Sequence, residues 1–321
     1  ALRDEDRVLN YLSHKASDGA QSIAAAALTG DNDAVAHWQG IGGKNSGLFL
    51  QCTAAGTTRM ESAAFRVALC RRANMDIPLI SPGIHCCCPL RVILDAKGTH
   101  LLRCKTKNMW QRRHDTMVRQ EITCGTCAGY QCVNGPLGLL PHDPVGQLAA
   151  PDPASQEILH HRHGPKGLQP DILVNGIDTM TNIKPTNCGR RVVFDVAVVD
   201  RSVADAVAFK IAKYQAKCEE NHLIFHPLVF HALGSWNDTV DHWITGCVKK
   251  TVNDKNLGIK EAKKQIARMS MYWRKRICVS LHNSIAFQLI SRYNYLVGTG
   301  VLNNQVDESR HGWAPAVLGN V

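Results

Sequence analysis

The run Arg191-Val-Val-Phe-Asp-Val-Ala-Val-Val-Asp200 is the strongest strand signal in the chain, since β-branched residues are typical of buried strands. Similar runs stand before it, at Pro170-Asp-Ile-Leu-Val-Asn175, and after it, at Leu223-Ile-Phe-His-Pro-Leu-Val-Phe230. The segment from about Ser202 to Glu220 has a helical pattern. Strands that alternate with helices predict an α/β fold with a sheet flanked by helices.

Two aspartates lie in these strand-like runs. Asp171 directly follows Pro170, and Asp195 lies 24 residues later inside an otherwise apolar strand. A lone buried charge is costly, so Asp195 must be paired, protonated or bound to a metal. Carboxylates hold Mg²⁺, which activates water for phosphodiester hydrolysis, so the pair indicates a hydrolytic metal site. The alternative is structural: Asp171 caps a turn and Asp195 meets a buried arginine.

The helix after Asp200 carries two candidate catalytic lysines. In Phe209-Lys-Ile-Ala-Lys-Tyr214, Lys210 and Lys213 are three apart on one helical face, and Tyr214 lies one turn from Lys210. A lysine beside a metal-bound water can orient it and stabilise the charge that develops on phosphorus. Lys210 is the first candidate, with Lys213 and Tyr214 beside it. The alternative is a set of solvent-exposed helix lysines.

A cysteine- and histidine-rich segment lies upstream. The triplet Cys86-Cys87-Cys88 is followed by Asp95-Ala-Lys-Gly-Thr-His100 and by Cys104. Soft thiolate and imidazole ligands suit a closed tetrahedral Zn²⁺ site. Three adjacent cysteines leave the choice of ligands open, and the favoured set is Cys86, Cys88, His100 and Cys104. The alternative is a group of buried free thiols.

Charge and composition indicate the class of partner. The chain has a formal net charge of +10 and a pI near 9.0, which favours a polyanion such as nucleic acid. Residues 236–321 hold twelve Lys or Arg against six Asp or Glu. No run of about eighteen apolar residues occurs, so no membrane insertion is expected, and the absence of an initiator Met suggests excision from a longer chain.

The order of these motifs resembles the C-terminal region of site-specific non-LTR retrotransposon proteins. Those proteins combine a Cys-Cys-His-Cys zinc knuckle with a restriction-like endonuclease domain of the PD-(D/E)XK superfamily. The resemblance spans about residues 60–240 and includes the Arg113-His114 pair and Phe225-x-Pro227 before Gly234. That superfamily has a lysine two residues after the second acid. Here Ala197 takes that place, which implies that the lysine has moved to Lys210 or Lys213.

The resemblance implies a Mg²⁺- or Mn²⁺-dependent DNA endonuclease for target-primed integration. It also implies a nuclear location and, as partners besides DNA, an upstream reverse transcriptase domain and element RNA. Alternatives are an inactive zinc-containing nucleic-acid-binding module and a junction-resolving nuclease. The expected fold is a restriction-endonuclease-like mixed sheet in a four-part chain: a helical linker (1–75), the zinc knuckle (76–110), the nuclease core (111–235) and a basic helical extension (236–321).

Other motifs are weaker candidates. Cys124, Cys127 and Cys132 have zinc-like spacing, but the resemblance places a helix there and favours ordinary helix cysteines. Glu121 is a possible metal-assisting acid on the helix after Arg113-His114. Two further motifs are excluded from the site, His160-His-Arg-His163 as a loop and Asp152 because prolines flank it.

Overall fold

The computed structural model describes residues 30, 32–51, 56, 58–105, 109–136, 139–140, 169–175, 191–255 and 257–298. The histidine-rich motif at 160–163 and Asp152 lie outside these residues. Seven α-helices and four strands are described within these ranges. The chain forms a mixed α/β structure in which helices flank one four-stranded sheet.

The sheet has the strand order β1-β2-β3-β4. Its strands are β1 (Gln131–Asn134), β2 (Ile172–Asn175), β3 (Arg191–Val199) and β4 (Leu223–His231). The first three pair antiparallel, whereas β3 and β4 are parallel. Parallel neighbours require a crossover connection, and a helix supplies it here. Central strand β3 is therefore buried on both faces, as its continuous apolar sequence predicts.

The helices cover both faces of this sheet. They are α1 (Asn32–Gly42), α2 (Ser62–Arg72), α3 (Thr99–Arg103), α4 (Met109–Cys127), α5 (Val203–Glu220), α6 (Asp238–Asn253) and α7 (Ile259–Leu296). One face packs against a large core to which α2, α4, α6 and α7 contribute. The other face packs against α5, where Val193 meets Tyr214 and Cys218. None of the helices in the described ranges combines the length and apolarity needed to cross a membrane.

The predicted strands correspond to β2, β3 and β4, and the predicted helix at 202–220 corresponds to α5. The mixed sheet flanked by helices confirms the α/β class. Cys218 and Cys278 are buried on helices α5 and α7. The expectation of helix cysteines is wrong for Cys132, which lies on β1, since the helix ends at Cys127 and the positive φ of Gly129 turns the chain into a strand.

Candidate functional site

The cysteine-rich segment folds as a small hairpin followed by a short helix. In the hairpin, the Cys86 amide donates to the Val92 carbonyl at 2.9 Å and the Leu94 amide donates to the Ile84 carbonyl at 2.8 Å. Arg91 turns the chain between the two arms with a φ of 44°. This turn brings Cys86 and Cys88 to the side of the hairpin where the next helix begins.

Helix α3 begins at a cap formed by Asp95. The Asp95 carboxylate accepts hydrogen bonds from the backbone amides of Thr99 at 3.1 Å and His100 at 3.4 Å. Gly98 precedes the helix with a φ of 68°, a conformation that glycine adopts without strain. A β-carbon at Gly98 would also lie 2.8 Å from Ile80 Cδ1. The Asp-x-x-Gly-x-His sequence is thus a capped turn that orients His100.

Four ligand atoms converge between the hairpin and α3. Those of Cys86, Cys88, His100 and Cys104 all lie within 4.8 Å of one another. Cys86 Sγ is 3.8 Å from Cys104 Sγ, and Cys88 Sγ is 3.5 Å from His100 Nε2. Tetrahedral zinc with bonds of about 2.3 Å to sulfur and 2.05 Å to nitrogen gives edges of about 3.8 Å and 3.6 Å. The group could hold a metal ion and is compatible with zinc, and Cys87 is exposed outside it.

Long-range hydrogen bonds join this module to the rest of the core. The Gln288 side chain on α7 donates to the carbonyls of Leu101 at 3.1 Å and Leu102 at 3.2 Å. Arg292, also on α7, donates to the carbonyls of Leu101 and Cys104. These donors satisfy carbonyls at the C-terminal end of α3 that the helix itself leaves unpaired. The Cys/His group is therefore fixed to α7, the longest helix in the described part of the chain.

The two aspartates meet across strands β2 and β3. Ile172 pairs with Phe194, so extending the antiparallel register by one residue places Asp171 across from Asp195. The Asp171 carboxylate accepts a hydrogen bond of 2.6 Å from the Val196 amide, next to Asp195. Asp195 is 3% exposed. The sheet thus brings together two carboxylates that are 24 residues apart in the sequence.

Helix α5 places Lys210 beside the two aspartates. Side chains alternate between the faces of β3, so Asp195 shares the α5 face with Val193. Lys210 forms an ion pair with Asp195, and its side chain is 13% exposed. The charge of Lys213 also acts on Asp195, and its Nζ lies 4.8 Å from the centroid of the Tyr214 ring. Asp195 therefore meets a lysine, not the buried arginine of the structural alternative.

Tyr214 is a packing residue at this face. Its ring is 3% exposed and stacks on Phe225 with a centroid separation of 5.2 Å. Its hydroxyl donates to the Gln169 carbonyl at 3.5 Å, two residues before Asp171. Tyr214 thus supports the segment that carries Asp171, and its hydroxyl is directed at the backbone of that segment rather than at the carboxylates.

His114 is the site residue that sequence reasoning missed. From α4, its Nε2 lies 3.1 Å from the Asp171 carboxylate and its Nδ1 lies 3.2 Å from Asp115. The only sequence signal was its place in the Arg113-His114 pair, and nothing in the spacing connected that pair with Asp171. Contacts between residues 57 positions apart depend on how the helix packs on the sheet.

The two carboxylates differ in electrostatic environment. Burial favours a raised pKa at Asp171, but the His114 hydrogen bond and charge, the Val196 amide and Lys210 together lower the pKa below its usual 3.8. At Asp195, burial raises the pKa, the opposing charge of Lys210 reduces the rise, and the charge of Asp171 adds to it. Two neighbouring carboxylates repel each other, so the pair favours a bound cation.

Glu121 does not join this pair. Its side chain is fully buried, and burial raises its pKa to about 8, with the indole of Trp243 opposing the rise. Its charge acts on Cys124 and Cys247 within the large core. Cys124 and Cys247 also lie close to each other there as buried thiols. This helix acid therefore lies among core residues rather than beside Asp171 or Asp195.

Comparison of the chain with protein-family models and with curated proteins found no match.

Proposed function

We propose that the protein is a divalent-metal-dependent DNA endonuclease whose active site is formed by Asp171, Asp195 and Lys210. The observation that carries the proposal is the convergence of these three side chains, from two strands and one helix, at a single point of the sheet. The net charge of +10 suits a polyanionic substrate. The mixed sheet flanked by helices agrees with a restriction-like core, and the separate Cys/His group agrees with an adjoining zinc knuckle.

The carboxylate pair fits a hard divalent cation. Asp171 and Asp195 supply oxygen ligands of the kind that Mg²⁺ and Mn²⁺ take, and their mutual repulsion is relieved by a cation. When bound, such an ion would supply an activated water and compensate negative charge on the phosphate. His114 and the Val196 amide hold Asp171 in place through its Oδ2 atom, which orients this carboxylate toward Asp195.

Lys210 supplies the positive charge that does not depend on a metal. Its ammonium group lies against Asp195 on the mostly buried α5 face, where a charge acts more strongly than in water. A phosphate bound at the carboxylate pair would lie within reach of this ammonium group, which can stabilise charge developing on the phosphoryl oxygens. Ala197 leaves the strand position two residues after Asp195 without a lysine, and Lys210 takes over that function from the helix.

We further propose that the nick exposes a 3′ hydroxyl for target-primed reverse transcription, with the polymerase domain upstream and element RNA as a partner. This step rests on the motif order that resembles non-LTR retrotransposon proteins, and a nuclear location follows from it. The zinc-binding group would then lie between polymerase and nuclease. A substrate-shape comparison separates this function from junction resolution, since a resolving enzyme would cut branched DNA in preference to linear duplex.

The test is nicking of supercoiled plasmid by the full chain with Mg²⁺ or Mn²⁺. Asp195→Asn should lower nicking by about 10²–10³-fold or more while DNA binding, measured by gel shift, persists. Asp205→Asn is the matched control, because Asp205 is an exposed acid on α5, and it should cut like the parent. DNA binding without nicking under either metal would overturn the enzyme proposal and leave an inactive nucleic-acid-binding module.

A further inference from the structure

A cavity of about 340 Å³ lies beyond the carboxyl ends of strands β3 and β4. Its lining includes Asp200, which follows β3, and His231, which ends β4. Helices α1 and α2 and the zinc-binding module close its other sides through residues such as Ala34, Arg71 and Lys97. The carboxyl end of a parallel strand pair is where α/β proteins commonly bind ligands. The cavity therefore has a favourable position for a binding site.

His231 contributes its ring to the wall of this cavity. Its Nδ1 accepts a hydrogen bond of 3.1 Å from the Leu233 amide. Burial lowers the pKa of His231 to about 4, so the ring is neutral near pH 7 and its proton resides on Nε2. That atom is buried and has no hydrogen-bond partner among the described residues. Because Nε2 is closed to solvent, the ring gives the cavity its shape rather than a hydrogen bond.

The packing around His231 is tight enough to fix its ring. A β-carbon at Gly40 of α1 would lie 2.2 Å from the His231 ring. His37, one turn earlier on the same helix, also lines the cavity, and its Nε2 is likewise buried without a hydrogen-bond partner in the described part of the chain. Two imidazole rings, held in place by close packing, therefore belong to the wall of one cavity.

Positive charge accumulates on the same side. Arg71 lines the cavity and donates to the Ala232 carbonyl at 2.7 Å. Burial lowers its pKa to about 10, and the nearby charge of Arg113 adds to that lowering. Arg113 is itself buried, and its Nε and Nη1 atoms have no hydrogen-bond partner among the described residues. Two clustered guanidinium groups in a buried setting favour an anion.

The acids of the cavity cancel part of this charge, since Asp200 also acts on Arg71, but the lining cations Arg71, Lys97 and Arg103 outnumber Asp33 and Asp200. Asp33 and Asp200 both form ion pairs with Arg103. Arg71 remains within the cavity, and Lys97 is exposed at its edge. A phosphate group is the anion that guanidinium and ammonium groups bind together most readily.

Apolar side chains form the rest of the lining, contributed by Ala34, Met75, Leu102 and Leu233. Sites for small molecules start at about 300 Å³ and combine an apolar wall with a few placed polar groups. The volume, the apolar wall and the nearby positive charges suit a heterocyclic base attached to a phosphate.

We propose that this cavity binds one nucleotide of the DNA substrate, with its phosphate on Arg71 and Lys97 and its base against the apolar wall of the cavity. The assignment to DNA rests on the proposed nuclease function. Asp200 lies five residues after Asp195 on the same strand, about 16 Å away at the rise of a β-strand. A bound DNA strand can span both places, so the cavity would hold the substrate at a fixed distance from the cleavage site.

The experiment is calorimetric titration of the full chain, without added divalent metal, with each of the four 5′-deoxynucleoside monophosphates. Deoxynucleosides and inorganic phosphate are the comparison ligands. We expect saturable binding with one site per chain, and weaker binding of both comparison ligands. Lys97→Gln should weaken nucleotide affinity by about tenfold. Ala34→Phe, which fills the cavity without altering charge, should abolish binding.

The matched control is Lys264→Gln. Lys264 is also exposed, but it lies near the start of α7, about 42 Å along the helix from Arg292, which contacts the zinc-binding module. This variant should bind like the parent. Equal weakening by both lysine variants would overturn the inference, because the effect would then be general charge attraction. Equal affinity for inorganic phosphate and nucleotide would overturn the assignment of a nucleotide.

Different results would overturn the cavity proposal and the nuclease proposal. Asp195→Asn should retain full nucleotide affinity, since its side chain does not line the cavity. Normal nicking by a chain that binds no nucleotide would overturn the cavity assignment alone. Nucleotide binding by a chain that never nicks DNA would overturn the nuclease alone.

Discussion

The Cys/His group that is compatible with zinc, called the zinc-binding group below, and the carboxylate site are assembled in opposite ways. The four Cys and His ligands come from 19 residues of continuous sequence, 86–104, and a hairpin and a capped turn bring them together. Asp171, Asp195, Lys210 and His114 come from four separate elements that span 97 residues. The first site is local, whereas the second exists only once the sheet has formed and both α4 and α5 have packed on it.

This difference in assembly has an energetic consequence. A metal that binds only the folded arrangement contributes its binding free energy to folding. The hairpin and α3 contribute Leu94, Leu101 and Leu102 to the large core, and a bound zinc would add its binding free energy to that packing. The carboxylate site lies on a sheet that the same core stabilises. Loss of a zinc ligand should therefore lower the stability of the fold, whereas loss of a proposed catalytic group should leave the fold intact.

The largest expected effect is that of removing a zinc ligand. Cys104→Ser should lose the zinc and lower the free energy of unfolding by roughly 5 kcal/mol, because binding free energies of structural zinc exceed typical domain stabilities. Elemental analysis would give the zinc content per chain, and urea unfolding would give the stability. Cys87→Ser is the control, since Cys87 is exposed outside the ligand group. One zinc per chain in Cys104→Ser would contradict the ligand assignment.

The next effect is confined to catalysis and separates the two lysines of α5. Lys210→Met should reduce nicking by about 10²–10³-fold, because it removes the cation paired with Asp195. Lys213→Met should reduce nicking by less than about tenfold, since the charge of Lys213 has a smaller effect on Asp195 than the paired charge of Lys210. Single-turnover rates at saturating protein would measure both. Equal losses would show that the two lysines act together, and a reversed order would transfer the role to Lys213.

The free energy of unfolding of the two lysine variants is a second measurement that tests the comparison. Neither lysine variant should lose zinc or unfold, unlike Cys104→Ser. If Lys210→Met were to unfold the chain, the carboxylate site would be as structural as the zinc-binding module. The contrast between the two regions would then be wrong.

The same contrast explains what the sequence could predict. The zinc ligands were recognisable because their spacing is local, and even the choice of Cys86 and Cys88 over Cys87 agrees with the arrangement of the ligand atoms. Asp195 was recognisable because a charge stands out in an apolar strand. His114 was not, because its partner Asp171 lies 57 residues away and only packing joins them. Strand β1 was missed because Gln131–Asn134 is short and largely exposed, with no alternating apolar pattern.

The cavity beyond β3 and β4 was beyond prediction for a related reason. Its lining comes from α1, α2, the zinc-binding module and two strand ends. No local pattern connects His37 with His231 or Arg71 with Asp200. Only the three-dimensional structure shows that these side chains line one space.

The smallest effect concerns Glu121, an acid that neither region uses. Asp195 is buried beside Lys210. Burial raises the pKa of Glu121 from 4.5 to about 8, and the Trp243 indole opposes part of this rise. The folded chain thus retains a proton that the unfolded chain loses above about pH 4.5. Stability should fall as the pH rises from 4.5 to 8 and level off above, because the unfolded state binds fewer protons in that range.

Glu121→Gln removes this ionisation while preserving the size of the side chain. Its free energy of unfolding relative to the parent should increase by on the order of 2 kcal/mol between pH 5 and pH 8, measured by urea unfolding at each pH. Glu220→Gln, at an exposed acid of α5, should show no such trend. A constant difference for Glu121→Gln would mean that Glu121 is ionised in the folded protein. Glu121 would then be ionised in the folded protein, as the carboxylates of the proposed active site are expected to be. The contrast between Glu121 and the pair that lies beside Lys210 and His114 would disappear.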